Sequence, residues 1–406
     1  MSSTTSASHT GAEIRLEGLT KTYPGQTTPA VDALDLVIPA GETVMFVGPS
    51  GCGKTTSLKM INRLIEPTSG RIMMGGEDIT HANPTELRRR IGYVIQGGGM
   101  MPHMSVAQNI GLVPGLLKWK SGRIKTRVDE LLDMVGLDPA VYRDRYPREL
   151  SGGQQQRVGV ARGLAADPPV LLMDEPFGAV DPVTRQRLQD EMLDIQERLH
   201  KTIVMVTHDI DEALKLGDRI LVLEPGAHIA QYGTPEEILT APANDFVADF
   251  VGSGAMLKRL SLVRVGDLEL STVPTCRVGE SVEAVHRRVT AAGHDAVVIL
   301  DQRGRPLDWV FLRSLRGDRV LEPRVRAQSV VDHRSTLNNA LEAVLISSHS
   351  GAMVTRQGTF IGVLPYDTIT EHTTAWRAEA RAAELAEIDA QTGRQDPADQ
   401  QTGRQP

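Results

Sequence analysis

The chain has 406 residues, 23% charged and 40% hydrophobic, with a formal net charge of −7. That length exceeds one ordinary core and predicts two or three domains, while the negative balance argues against a nucleic-acid partner held by bulk charge. No apolar run approaches the ~18 residues that cross a bilayer. The Ser/Thr-rich start lacks the charged-then-apolar order of a secretory leader, and two cysteines, Cys52 and Cys276, offer neither a disulfide framework nor a metal set. The expected compartment is the cytosol, with any membrane role exerted through a partner.

In chain order, residues 1–11 read as a disordered lead, and from Ile14 the alternation Ile-Arg-Leu-Glu-Gly-Leu predicts a strand. Lys21-Thr22-Tyr23-Pro24-Gly25 is a turn presenting an aromatic ring. The apolar run at 44–47 leads into Gly48-Pro49-Ser50-Gly51-Cys52-Gly53-Lys54-Thr55, and Thr56 continues into a helix-compatible run. Strand, G-x-x-x-x-G-K-[ST] loop and helix in that order form a phosphate cradle. Its glycines let backbone N–H groups curl around phosphate, Lys54 adds a point charge, and Thr55 offers a hydroxyl to Mg²⁺. A strand at 91–96 ends in Gln96, followed by the flexible run Gly97-Gly98-Gly99 and an apolar-tipped loop. Residues from about 103 to 165 read as helix-rich and include Leu150-Ser151-Gly152-Gly153-Gln154, just ahead of a helical stretch whose N–H groups can face a γ-phosphate. Val170-Leu171-Leu172-Met173-Asp174-Glu175 is an apolar strand closing in two carboxylates, and Asp174 is the candidate Mg²⁺ ligand. A further buried strand ends at Thr207-His208. Strands alternate with helices to about Leu223, which argues α/β with a mostly parallel sheet.

Leu-Ser-Gly-Gly-Gln together with the phosphate loop resembles the ATP-binding cassette (ABC) proteins over about the first 250 residues. The resemblance implies a RecA-like phosphate-loop ATPase over 12–252, with a helical subdomain at about 97–165. It also implies ATP and Mg²⁺ as ligands. By the same resemblance Tyr23 stacks on adenine, Gln96 touches Mg²⁺ and the attacking water, Glu175 polarises that water, and His208 is the switch histidine. Ser151, Gly152, Gly153 and Gln154 are the signature, Asp181 lies in the dimer-contact loop, and the loop after Gln96 receives a helix of a membrane partner. The wording at 178–185, 209–219 and 56–64 is similar to one branch, the ATPase subunits of quaternary-amine importers. That branch implies a homodimer on the cytoplasmic face of the membrane, bound to integral-membrane permease subunits and through them to a solute-binding protein. An importer for another solute, or a soluble non-transport cassette protein, are the alternatives.

Beyond Gly252-Ser253-Gly254, a plausible hinge, two segments share one plan of extended entry, helix, strand, turn and strand: 273–304 and 329–363. A repeat of this length predicts a paired α+β unit over 253–372 that buries a shared core. It resembles a tandem cystathionine-β-synthase (CBS) pair. Such repeats imply a hydroxyl residue and an Asp that hold a ribose. The second repeat has Asp367 but Leu364 at the hydroxyl position; the first has Phe311 and Ser314 at the two positions. An apolar side chain cannot replace a hydrogen bond to a ribose. A ligand-free dimerisation and regulatory module is therefore an equal reading, with a cyclic dinucleotide or an anionic lipid as candidate ligands. Residues 253–372 carry 15 Arg and Lys against 13 Asp and Glu, a small basic excess suited to an anionic surface. Residues 373–390 read as helical, and the remainder to 406 as disordered.

Overall fold

The computed structural model describes residues 11–95, 97–178, 180–252, 254–323, 325 and 327–392. They fall into two compact units, one ending at Ser253 and the other beginning at Gly254.

In the first unit, Thr43–Val47 and Thr202–Val206 are buried along their whole length, as are four of the five residues of Val170–Asp174. Strands this uniformly apolar belong in a sheet covered on both faces. They form the centre of a six-stranded sheet ordered His228–Gly233, Arg219–Glu224, Thr43–Val47, Thr202–Val206, Val170–Asp174 and Ile91–Val94. Every neighbouring pair is parallel except the edge pair made by His228–Gly233. A separate antiparallel sheet is ordered Val31–Ile38, Ile14–Lys21, Ser69–Met74 and Glu77–Asp78. Its inward residues Ile14, Leu16, Leu34 and Ile38 share one core with Phe46, Leu58, Leu172 and Val204. Helices Val106–Leu116, Ser121–Met134, Pro139–Tyr142 and Gly152–Leu164 fill the expected helix-rich segment. Because the parallel strands all finish at one edge, the loops after Val47, Val94, Asp174 and Val206 open on the same side of the sheet, where ligands bind in such folds.

The second unit contains the repeat in full. Thr275–Arg277, helix Val282–Ala291, Ala296–Leu300 and Pro306–Phe311 make one three-stranded sheet; Val330–Asp332, helix Leu337–Leu345, Gly351–Arg356 and Thr359–Pro365 make another. In each sheet the first pair is parallel and the second antiparallel. Each repeat has its own core, and Val298, Met353 and Val363 join the two.

Expected disorder up to position 10 and beyond 392 lies outside the described residues, but Gly11, assigned to the lead, donates its N–H to the His200 carbonyl at 2.9 Å. The helix expected from 373 instead begins at Tyr366 and runs to Thr392. No Gly or Pro interrupts residues 366–376, and Ile369 and Trp376, two turns apart, are both buried in the second repeat's core. No helix among the described residues is long and apolar enough to cross a membrane.

Candidate active site

The loop after strand Thr43–Val47 is shaped by positions where only glycine fits. A Cβ at Gly48, where φ is +147°, would lie 2.3 Å from the Leu223 carbonyl oxygen, and one at Gly53, where φ is +107°, would lie 2.6 Å from that of Ala30. Ser50 and Gly51 form the exposed tip, whereas Cys52 is buried and its carbonyl accepts from the Ala227 N–H at 2.8 Å. Helix Lys54–Ile61 starts directly behind Gly53 with no side-chain cap. Its first N–H groups therefore face the loop, which is the arrangement that favours a phosphate. Lys54 is only 7% exposed; its Nζ donates to the carbonyls of Gly48 at 2.7 Å and Pro49 at 2.8 Å, spanning the loop from within.

Thr55 and Asp174 are 119 residues apart in sequence, and Thr55 Oγ1 donates to Asp174 Oδ1 at 2.9 Å. Glu175 follows in the left-handed region at φ +46°, a conformation that costs a bulky residue about 1–3 kcal/mol and collects at functional sites. It is held there by its own N–H, which donates to the Val206 carbonyl at 3.0 Å. The turn brings Glu175 Oε1 to 3.5 Å from His208 Nδ1, and the imidazole is 63% exposed. Thr207 donates its N–H to the Phe46 carbonyl at 3.1 Å, so His208 is fixed relative to the phosphate-loop strand. Tyr93, which the sequence reading did not single out, adds a buried hydroxyl with no hydrogen-bond partner among the described residues. Burial first, and the Asp174 charge second, push its pKa up to about 12.

Lys54, Thr55, Asp174, Glu175 and His208 thus converge on one sheet edge. Tyr23 sits in the connection between the two strands Ile14–Lys21 and Val31–Ile38, with Lys21 Nζ 5.4 Å from its ring centre; that connection ends at Ala30, against Gly53. Gln96 lies outside the described residues. Ser151 caps helix Gly152–Leu164 in a reciprocal pair: Ser151 Oγ accepts from the Gln154 N–H at 3.3 Å and Gln154 Oε1 accepts from the Ser151 N–H at 2.9 Å. Asp181 likewise caps helix Pro182–Leu199, accepting from the Thr184 N–H at 3.0 Å. A Cβ at Gly153 would lie 2.8 Å from Thr184 Cγ2, so the two capped helices adjoin at their starts. Among the described residues, no hydrogen bond or ion pair joins Ser151–Gln154 to residues 48–55. Nor is there a cluster of three or more His, Cys, Asp and Glu able to hold a metal.

Two arginines on the signature helix also escaped the sequence reading. Arg157 pairs with Glu191 on the helix after Asp181, and Arg162 donates to the carbonyls of Gly98 and Gly99. The available signal was a cation amid Val158, Val160, Ala161 and Leu164, all buried; charged groups enter such surroundings only with partners.

A glycine cradle at a helix start, with a hydroxyl in the first turn of that helix and two carboxylates at the end of one parallel strand, defines a phosphate-loop nucleoside triphosphatase. The ABC transporter family model matches residues 31–178, a span holding the phosphate loop, the signature and both carboxylates. The chain is 51% identical over 309 residues to the osmoprotectant import ATP-binding protein OsmV of Salmonella typhimurium, covering 75% of this chain and 80% of that one. It is 51% identical over 291 residues to the glycine betaine/carnitine/choline transport ATP-binding protein OpuCA of Bacillus subtilis, covering 71% and 76%. Among solved structures, cbiO1 of Clostridium perfringens, part of the ABC transporter complex cbiONQ, aligns with a TM-score of 0.52 at 28% identity, covering 61% of this chain and 97% of that one. The chain belongs to the ABC transporter ATP-binding proteins, in the osmoprotectant-import branch.

In the second unit the structure accounts for the departures at the expected ribose positions. Leu364 is 0% exposed in the second repeat's core, whereas Asp367 stands exposed in the first turn of helix Tyr366–Thr392. The Phe311 ring packs against His349 at 4.3 Å between centres, and Ser314 Oγ donates to the Phe311 carbonyl at 2.6 Å.

Proposed function

We propose that this chain is the ATP-hydrolysing subunit of an importer for osmoprotectant quaternary amines of the glycine betaine, choline, carnitine and proline betaine class. The observation that carries the reading is the convergence of Thr55, in the first turn of the helix behind the phosphate loop, with Asp174, Glu175 and His208 at the carboxyl ends of two neighbouring strands. The β- and γ-phosphates of ATP lie along the loop N–H groups and Lys54, which shifts from the Gly48 and Pro49 carbonyls to phosphate oxygens. Two hard oxygens, Thr55 Oγ1 and Asp174 Oδ1, suit Mg²⁺, which keeps most of its own waters; when bound, it neutralises charge on the phosphate oxygens. Gln96 is the expected third contact. Glu175 orients and polarises the attacking water, and His208 steadies the Glu175 carboxylate. Phosphoryl transfer is dominated by positioning and charge stabilisation, so the backbone that fixes Glu175 matters as much as its carboxylate.

Two copies of the chain act together. Ser151, Gly152, Gly153 and Gln154 of one copy meet the γ-phosphate held by the other, with the loops around Asp181 in contact, and Tyr23 stacks on adenine. The dimer works on the cytoplasmic face, attached through permease subunits that also receive a solute-binding protein. Residues 253–372 form a CBS-like regulatory pair, and the buried Leu364 supports a module that acts without binding a ribose. The test is uptake by vesicles holding the purified permease–ATPase complex and its solute-binding protein, with internal ATP and a panel of quaternary amines. ATP-dependent uptake of at least one is expected. Hydrolysis that drives an unrelated solute and none of the panel would overturn the assignment.

A further inference from the structure

The glycine triplet after Gln96 makes a specific joint with the signature helix. Gly97, Gly98 and Gly99 have φ of +70°, +76° and +53°, all left-handed. A Cβ on Gly98 would lie 2.7 Å from the Gln155 carbonyl oxygen, and one on Gly159 would lie 3.0 Å from Gly98 Cα. Loop and helix backbones therefore touch with no side chain between them. Arg162 closes the joint: Nη1 donates to the Gly99 carbonyl at 2.6 Å and Nη2 to that of Gly98 at 3.0 Å. Gln155, Gly159 and Arg162 are spaced i, i+4, i+7, one face of the helix. Burial lowers the Arg162 pKa from its usual value, and among the described residues no carboxylate forms an ion pair with it. Its charge is answered by the two carbonyl dipoles.

The segment is moored on either side of this joint. A Cβ at Gly92 would lie 2.5 Å from the Gly163 carbonyl oxygen, so the preceding strand also meets the helix backbone. Beyond the loop, Met101 donates its N–H to Oδ1 of the buried Asn109 at 2.8 Å, and Asn109 Nδ2 returns a bond to the Met101 carbonyl at 3.2 Å. Ser151 is the cap of the same signature helix.

We propose that Arg162 is a positioning residue for hydrolysis, which locks residues 97–99 to helix Gly152–Leu164 so that the loop and Ser151 move as one body. The inference rests on the reading of Ser151 as the group that completes a nucleotide site on a second copy. A displacement of the loop then arrives at Ser151 through a rigid helix, and a looser joint lets Ser151 arrive late or out of place.

The test compares full-length parent, Arg162→Lys and Arg162→Ala for ATP affinity, steady-state hydrolysis and thermal midpoint. Lys54, Tyr23 and Thr55 are untouched, so ATP affinity should stay within about two-fold of the parent. The turnover number should fall roughly ten-fold in Arg162→Ala, the scale of a broken coupling contact. Arg162→Lys, which keeps the charge and can reach one carbonyl, should fall less. Gly98→Ala, which pushes the loop off Gln155, should reproduce the turnover loss with Arg162 present. Parent-level turnover in Arg162→Ala, or affinity and turnover falling together with the thermal midpoint, would overturn the inference and leave Arg162 a packing residue. A parent that binds ATP without hydrolysing it overturns the functional reading and this inference together; an active parent with an equally active Arg162→Ala overturns this inference alone.

Discussion

Asp174 and Leu364 each stand near the end of a strand, one in either unit, at a position where sequence resemblance expects a ligand-binding polar group. Asp174 meets Thr55 across the sheet edge. Leu364 instead turns inward among Leu337, Ala340 and Val354. The first unit keeps its polar residues out of the core by ending strands with them, and fixes them by backbone devices such as the left-handed Glu175. In the second unit the corresponding position is buried in the core, and Asp367 stands exposed in the first turn of helix Tyr366–Thr392. A motif position is therefore informative only together with the side of the sheet it faces. A unit with a buried apolar side chain at that position is better read for packing and assembly than for chemistry.

The sharpest way to break this contrast is Glu175→Gln. The amide keeps the shape and one acceptor but loses the charge proposed to polarise water, so turnover should fall about 10²–10⁴-fold while ATP still binds. Steady-state hydrolysis beside nucleotide binding checks this; parent-rate hydrolysis would remove Glu175 from the chemistry. Leu364→Ala probes the other side of the contrast. Truncating a fully buried leucine should destabilise the second unit by about 2–5 kcal/mol, measured by chemical unfolding, with hydrolysis unchanged. A neutral effect would mean that Leu364 lines an accessible site after all. Tyr23→Ala should weaken ATP binding by roughly ten-fold, the worth of one base–aromatic stack, with little change in turnover at saturating ATP. Unchanged affinity would leave Tyr23 an ordinary turn residue.

Much of the first unit was legible because its signals are local. Uniform apolar runs such as 170–173 require a sheet buried on both sides, and a glycine loop between strand and helix has few other uses. Motif chemistry assigned Thr55 and Asp174 each to Mg²⁺, but their hydrogen bond was seen only in the structure, since nothing local brings residues that far apart together. Arg162, Arg157 and Tyr93 were missed because their importance lies in what they touch on other elements. The glycine triplet looked like flexibility in sequence, yet each glycine is needed where two backbones meet or φ is positive. In the second unit the repeat was visible in its alternation of helix and strand. The early start of the last helix was hidden, since it depends on Ile369 and Trp376 reaching the same core.

If the chemistry resides wholly in the first unit, a chain ending at Gly252 should carry it. The measurement is ATP hydrolysis by that truncated chain beside the full-length protein, at equal concentration and saturating Mg²⁺–ATP. Turnover within about two-fold is predicted, because every residue of the converging site precedes the boundary between compact units. A loss of ten-fold or more in a truncated chain that still binds ATP and unfolds cooperatively would contradict the account, and would place part of the catalytic machinery in the second unit.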